Sequence, residues 1–108
     1  MHAVSVQITG YVDDHFPGIV SCILRDIHGR AWRFVEKAPV VSLANLTERS
    51  AYPQNGEIAC RVMTRSEDPS GRATVVVDTS SPSDVESEEG QTRFEVFADQ
   101  LVEVPGAA

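Results

Sequence analysis

The sequence predicts an all-β fold: a small antiparallel β-barrel of five to six strands, OB-like in its element order. Three observations predict it. Apolar residues alternate with polar ones at period two in six segments, as strands with one buried face require. Turn-forming residues separate those segments. The chain has 108 residues, 42% hydrophobic and 23% charged, which suits one domain-sized core and no second one. An SH3-like barrel and a small β-sandwich are the competing architectures. A closed barrel hides its sheet edges, which favours it for so short a chain with so many strands.

The elements follow in order. In AVSVQITGYV, Val4, Val6 and Ile8 alternate with Ser5, Gln7 and Thr9. In GIVSCILRD, Val20, Cys22 and Leu24 share one face while Ile19 and Ile23 lie on the other, so both faces should be covered. In AWRFVEKAPVV, Trp32 and Phe34 point one way and Arg33 and Val35 the other. Pro39 cannot donate to a ladder, so that strand must end, bulge or run along an edge there. EIACRVMTR, ATVVVD and TRFEVF supply three more strands. Asp26-Ile27-His28-Gly29 and Asp68-Pro69-Ser70-Gly71 are turn sequences, with Asp at the first position and Gly at the last. The first three strands should therefore form a meander, and the fourth and fifth a hairpin. Asp13 to Gly18 is a longer turn between the first two strands.

Two segments break the alternation. In residues 42–52, Asn45 could cap a helical turn with Glu48 three positions on, placing Leu43 and Leu46 on one face. Residues 79–91, TSSPSDVESEEGQ, lack a period and nearly lack apolar residues, and are expected to be a long, exposed, mobile acidic loop. The barrel domain should span 1–104, with Leu101 and Val102 docked after one more turn and residues 105–108 frayed.

Four strings, GYVDDHFPG, FVEKAPVVS, SAYPQNGEIACRV and FEVFADQLVE, together resemble a group of small single-domain bacterial proteins of unknown function, over about residues 10–100. The resemblance implies a bacterial, cytoplasmic, free-standing domain. It carries no activity, ligand or catalytic residue.

Charge narrows the function classes. The formal net charge is −7. Residues 1–54 carry five basic and five acidic side chains, so the whole imbalance falls in residues 55–108, where four arginines meet eleven acids. Such a field repels phosphate backbones and anionic lipid and attracts cationic partners. No apolar run approaches the 18 residues of a membrane span, and the start of the chain is not a signal peptide, so a cytoplasmic location is expected. The preferred function is a non-enzymatic binding domain that meets a basic surface on another protein. Asp84, Glu86, Glu88, Glu89 and Glu95 are its candidate contacts. One concrete form is an inhibitor that covers a basic active site. The alternative is a small barrel binding single-stranded nucleic acid through Arg25, Arg30, Arg33 and Lys37 with exposed aromatics, which the net charge makes the weaker reading. A homodimer through an edge strand or Phe97 is the third.

Catalytic and metal chemistry find little footing. Counting Asp84 as position 1 of a calcium loop puts acids at 1, 3 and 5 and Glu95 at 12, but Glu89 stands where the sharp turn needs Gly, and no helices flank it. Asp13, Asp14 and His15 are adjacent in sequence and suit a turn better than an ion. Cys22 and Cys60 alternate with the apolar residues of their strands and are expected in the core. There is no Gly-rich phosphate loop and no GxSxG. No catalytic residue, metal or cofactor is expected.

Overall fold

The structure is a computed structural model and describes residues 1–103; the expected frayed tail at 105–108 lies outside them. The fold is all-β. Its strands are β1 (His2–Asp13), β2 (Ile19–Arg25), β3 (Ala31–Lys37), β4 (Gln54–Glu67), β5 (Ala73–Asp78), β6 (Arg93–Phe97) and β7 (Leu101–Glu103). A four-residue helix α1 (Ala38–Val41) follows β3, and a 3-10 turn (Ala98–Gln100) precedes β7. The six expected strands are present, and β7 is a short seventh. All pair antiparallel in one sheet of order β3-β2-β1-β4-β5-β6, with β7 against β1. The sheet is a strongly curled half-barrel, consistent with a small β-barrel. No helix among the described residues is long and apolar enough to cross a membrane.

The two longest strands each serve two partners. The first half of β1 pairs with β4, from His2 opposite Cys60 to Ile8 opposite Gln54. Its second half pairs with β2, with irregularities after Ile8 and after Tyr11. The far half of β4 pairs with β5, with a break in register between Val62 and Thr64. Bulges bend and twist a strand, so these interruptions turn the sheet on itself.

The alternation places the core as the sequence predicts. Val4, Val6, Ile8, Val20, Cys22, Leu24, Phe34, Ile58, Cys60, Val75, Val77, Phe94 and Val96 form one buried cluster. Curling brings the two ends of the strand order together. Phe94 of β6 meets Trp32 and Phe34 of β3 at ring-centroid distances of 5.4 and 5.6 Å. The Ile27 N–H donates to the Glu95 carbonyl at 3.0 Å, joining the β2–β3 turn to β6. Asp26 holds that turn. Its Oδ1 accepts from the His28 and Arg30 N–H groups, and its Oδ2 from the Trp32 indole. Burial pushes the Asp26 carboxyl upward, but these bonds outweigh it and hold it below the ordinary carboxylate range.

The helical link lies elsewhere than expected. β3 does end before Pro39, and the helix forms at once, with Pro39 in its first turn, where a missing N–H costs nothing. Residues 42–52 form turns instead. Ser42 Oγ accepts from the Ala44 N–H, and Ser50 Oγ from the Thr47 N–H. Leu46 is buried while Leu43 is fully exposed, so the two do not share a face. Ala38, Val41 and Leu46 add to the core. Gly56 makes room for this link. A Cβ there would stand 2.7 Å from Ile8 Cδ1 and 2.8 Å from the Val41 carbonyl oxygen.

Gly56→Ala should therefore destabilise the fold by about 1–3 kcal/mol, the cost of overpacking a filled site. Urea unfolding checks this; a variant as stable as the parent would show that α1 can lift away freely.

Candidate interaction surface

The acidic segment 79–91 is strapped to the barrel rather than standing off it. Asp78 Oδ1 accepts from the Ser80 hydroxyl and N–H, which hold its carboxyl low. The buried Thr79 donates its N–H to the Thr92 carbonyl at 2.8 Å and its hydroxyl to the Val85 carbonyl at 2.7 Å. Asp84 adopts φ of 54°, a region Asp tolerates better than most residues. That turn sends Val85 into the core, where it is fully buried. Ser87, also buried, closes a second turn with Gln91 in both directions. Between these anchors the Glu88 N–H donates to the Arg33 carbonyl at 2.9 Å, so the strap lies along the edge of β3 that β2 leaves unpaired.

This path brings the two sequence candidates against each other. Glu88 pairs with Arg33. Glu89 accepts from Arg30 through both carboxylate oxygens, at 2.9 and 2.8 Å. The Arg30 guanidinium also lies 3.7 Å from the centre of the Trp32 ring. Two of the five acidic candidates and two of the four basic ones are thus paired with each other. Arg25 donates to the Gly29 carbonyl at 3.3 Å, and Lys37 is exposed at the end of β3. Glu95 sits apart on β6, accepting from Thr74 at 3.3 Å. The calcium-loop spacing therefore does not converge: Glu88 faces Arg33 and Glu95 faces Thr74. No group of three His, Cys, Asp or Glu side chains among the described residues is placed to hold a metal ion.

Asp84 and Glu86 stand elsewhere, at one end of the barrel. Both lie near enough to Glu36 to raise its carboxyl; burial is the larger cause, and Lys37 opposes it. Register extends this end across the sheet. Tyr11, Val20 and Glu36 lie in one row over β1, β2 and β3, and Asp13, Ile19 and Lys37 in the next. The Tyr11 hydroxyl is pushed upward by desolvation, then by Asp14, Tyr52, Glu48 and Asp13. Asp13, Asp14, Glu36, Glu48, Asp84 and Glu86 therefore rim this end, and none of them forms an ion pair among the described residues. Lys37 and Arg49 are the basic side chains of the same stretches.

The cysteines lie in the core. Cys22 pairs with Ile8 and Cys60 with His2, six positions apart along β1 and so about 20 Å along the strand. That exceeds any disulfide span. Burial pushes their thiols up to about 12 and about 11, which keeps both neutral. An open groove of about 450 Å³ is lined by Ser5, Val41, Ser42, Leu43, Ala44, Asn55, Gly56 and Glu57. It contains one titratable side chain, Glu57. Alternation puts Glu36 on the face of Trp32 and Phe34, a signal that sequence reasoning left unused, and it missed the strap because a single buried valine carries it.

Val85→Ala should cost about 2 kcal/mol in urea unfolding, whereas Glu88→Gln with Glu89→Gln should cost under about 1 kcal/mol, because exposed ion pairs contribute little. The reverse ranking would make the ion pairs the anchor. Glu36 supplies a pH test. Its folded carboxyl titrates above its unfolded value, so its charged form at neutral pH opposes folding. Glu36→Gln should raise the thermal midpoint at pH 7, and the gain should vanish below about pH 4, where the parent carboxyl is neutral in both states. A gain that persists in acid would put its cause elsewhere.

The chain matches no protein-family model, and no curated protein or solved structure is significantly similar to it.

Proposed function

We propose that this barrel is a non-enzymatic binding domain that meets a basic surface on another protein through the acidic rim. One observation carries the reading. The strap is anchored through Thr79, Val85 and Ser87 and leaves Asp84 and Glu86 exposed and without an ion pair among the described residues, while Glu88 and Glu89 are engaged by Arg33 and Arg30. Carboxylates held together unpaired offer a partner's lysines and arginines a ready field, which speeds encounter and filters partners. The rim therefore takes the leading part in contact, ahead of Glu88, Glu89 and Glu95.

The test uses the protein as bait in host lysate at low salt, with a salt step and mass spectrometry. A basic protein in near-equal amount, released by salt, is expected. Its association with the purified domain is then timed against salt. Asp84→Asn with Glu86→Gln should slow association several-fold and flatten its salt dependence. Glu67→Gln with Asp99→Asn removes the same charge at the β4–β5 hairpin, where Asp99 meets Arg72, and should leave association nearly unchanged, since charges well beyond a Debye length of about 10 Å are screened. Equal effects of both variants would reduce the acidity to a general solubilising charge. Recovery of nucleic acid in place of a basic protein would overturn the reading.

A further inference from the structure

The β1–β2 turn carries an aromatic side chain that the fold does not use. Phe16 is 94% exposed. The other aromatic rings are engaged. Phe34 and Phe94 are buried, and Tyr11, Trp32 and Tyr52 pack against the core. Phe97 is covered by the Arg72 guanidinium, 3.5 Å from its ring centre. Leaving a whole phenyl ring in water forgoes the free energy that its burial would give.

The turn that presents Phe16 is held on both sides. The His15 N–H donates to Asp13 Oδ1 at 2.9 Å, and the Gly18 N–H to the His15 carbonyl at 2.7 Å. Gly18 has φ of +97°, and a Cβ there would stand 2.7 Å from the Tyr11 hydroxyl, so the chain passes directly under that ring. The Gly18 carbonyl accepts from the Ala38 N–H at 2.8 Å, tying the turn to the start of α1. A turn whose backbone is fixed before binding loses little backbone entropy on contact, and interface hot spots are enriched in aromatic side chains.

The surroundings specify the partner's chemistry. Asp13 and Asp14 share the turn that carries the ring, Val12 beside them is 51% exposed, and residues 1–24 contain neither lysine nor arginine. The same rows of the sheet carry Glu36. An anionic membrane is repelled by this setting, and a second copy would set one acidic rim against another. We infer that Phe16 is the apolar anchor of the interface, and that it inserts into an apolar pocket bordered by lysine or arginine on the basic partner protein. This inference rests on the acidic-rim reading and goes beyond it by naming the contact that holds the complex.

The experiment places a benzophenone amino acid at position 16 in one full-length variant and at position 86 in another. Each is irradiated in host lysate and its adduct identified. The adduct protein is then purified and titrated with the parent, Phe16→Ala, and Asp13→Asn with Asp14→Asn. Phe16→Ala should keep the parent's unfolding midpoint, because the ring covers nothing. The same basic protein is expected at both positions. Phe16→Ala should weaken binding about 30-fold through faster dissociation, with its salt dependence unchanged. The double aspartate variant should slow association and flatten the salt dependence. A basic adduct at 86 with none at 16, or unchanged affinity of Phe16→Ala, overturns the anchor and leaves the rim standing. An adduct at 16 with another copy of this chain also overturns it. Adducts with no basic protein at either position overturn both.

Discussion

Everything in this molecule depends on closing the seam between β3 and β6. A sheet of order β3-β2-β1-β4-β5-β6 has two free edges, and each exposes a row of unpaired backbone groups. Curling brings the edges together, yet β3 and β6 are not ladder partners. Side chains and a strap join them instead. Phe94 fills the gap from one side and meets both Trp32 and Phe34 on the other. Val85 reaches the core from the strap, and the Glu88 N–H bonds the Arg33 carbonyl. The segment with the fewest apolar residues thus completes the barrel by one valine and its backbone.

That manner of closure places the charges. The strap runs along β3 in the opposite sense, so Glu89 meets Arg30, Glu88 meets Arg33, and Asp84 and Glu86 come to Glu36. Its first part gathers like charge while its second part neutralises opposite charge. The partners of the two ion pairs are 59 and 55 residues apart in sequence, so neither pairing follows from local spacing. The bonds among Thr79, Val85, Ser87 and Gln91 maintain the repulsive part. Burial of Val85 is the larger force, because exposed ion pairs contribute at most about 1 kcal/mol each.

The strands were legible because a half-buried strand writes its geometry at period two. Val4, Val6 and Ile8, then Val20, Cys22 and Leu24, point inward as alternation requires. The turns were legible because Asp26 and Asp68 each accept the N–H groups of the residues that follow. The short helix was misplaced because Asn45 and Glu48 carry a capping pattern, while the chain needs its turn earlier, where Pro39 has already ended β3. The role of 79–91 was not legible, because one valine among acids and serines has no period. The acidic and basic candidates were identified by residue type, but their meeting needed the tertiary path. Phe16 falls in the turn read at residues 13–18, so its exposure was legible, but the bonds that tie that turn to Asp13 and α1 needed the tertiary structure.

In the interface proposed above, the rim and the exposed ring divide the work of recognition according to the reach of the forces they use. Charge acts across roughly a Debye length, about 8–10 Å at ordinary salt, and so governs approach and orientation. Burial of an apolar ring acts only at contact, and so governs residence. A rim alone would attract any cation, and a lone phenyl group would attach to any apolar hollow. Specificity arises when one rigid turn requires both at once, because a basic surface without a pocket leaves the ring in water, and a pocket without basic neighbours must strip Asp13 and Asp14 of solvent with nothing in return. The hydrogen bonds that tie Gly18 to His15 and Ala38 hold the backbone of the turn that carries ring and carboxylates, and that is the shape which the proposed partner must match.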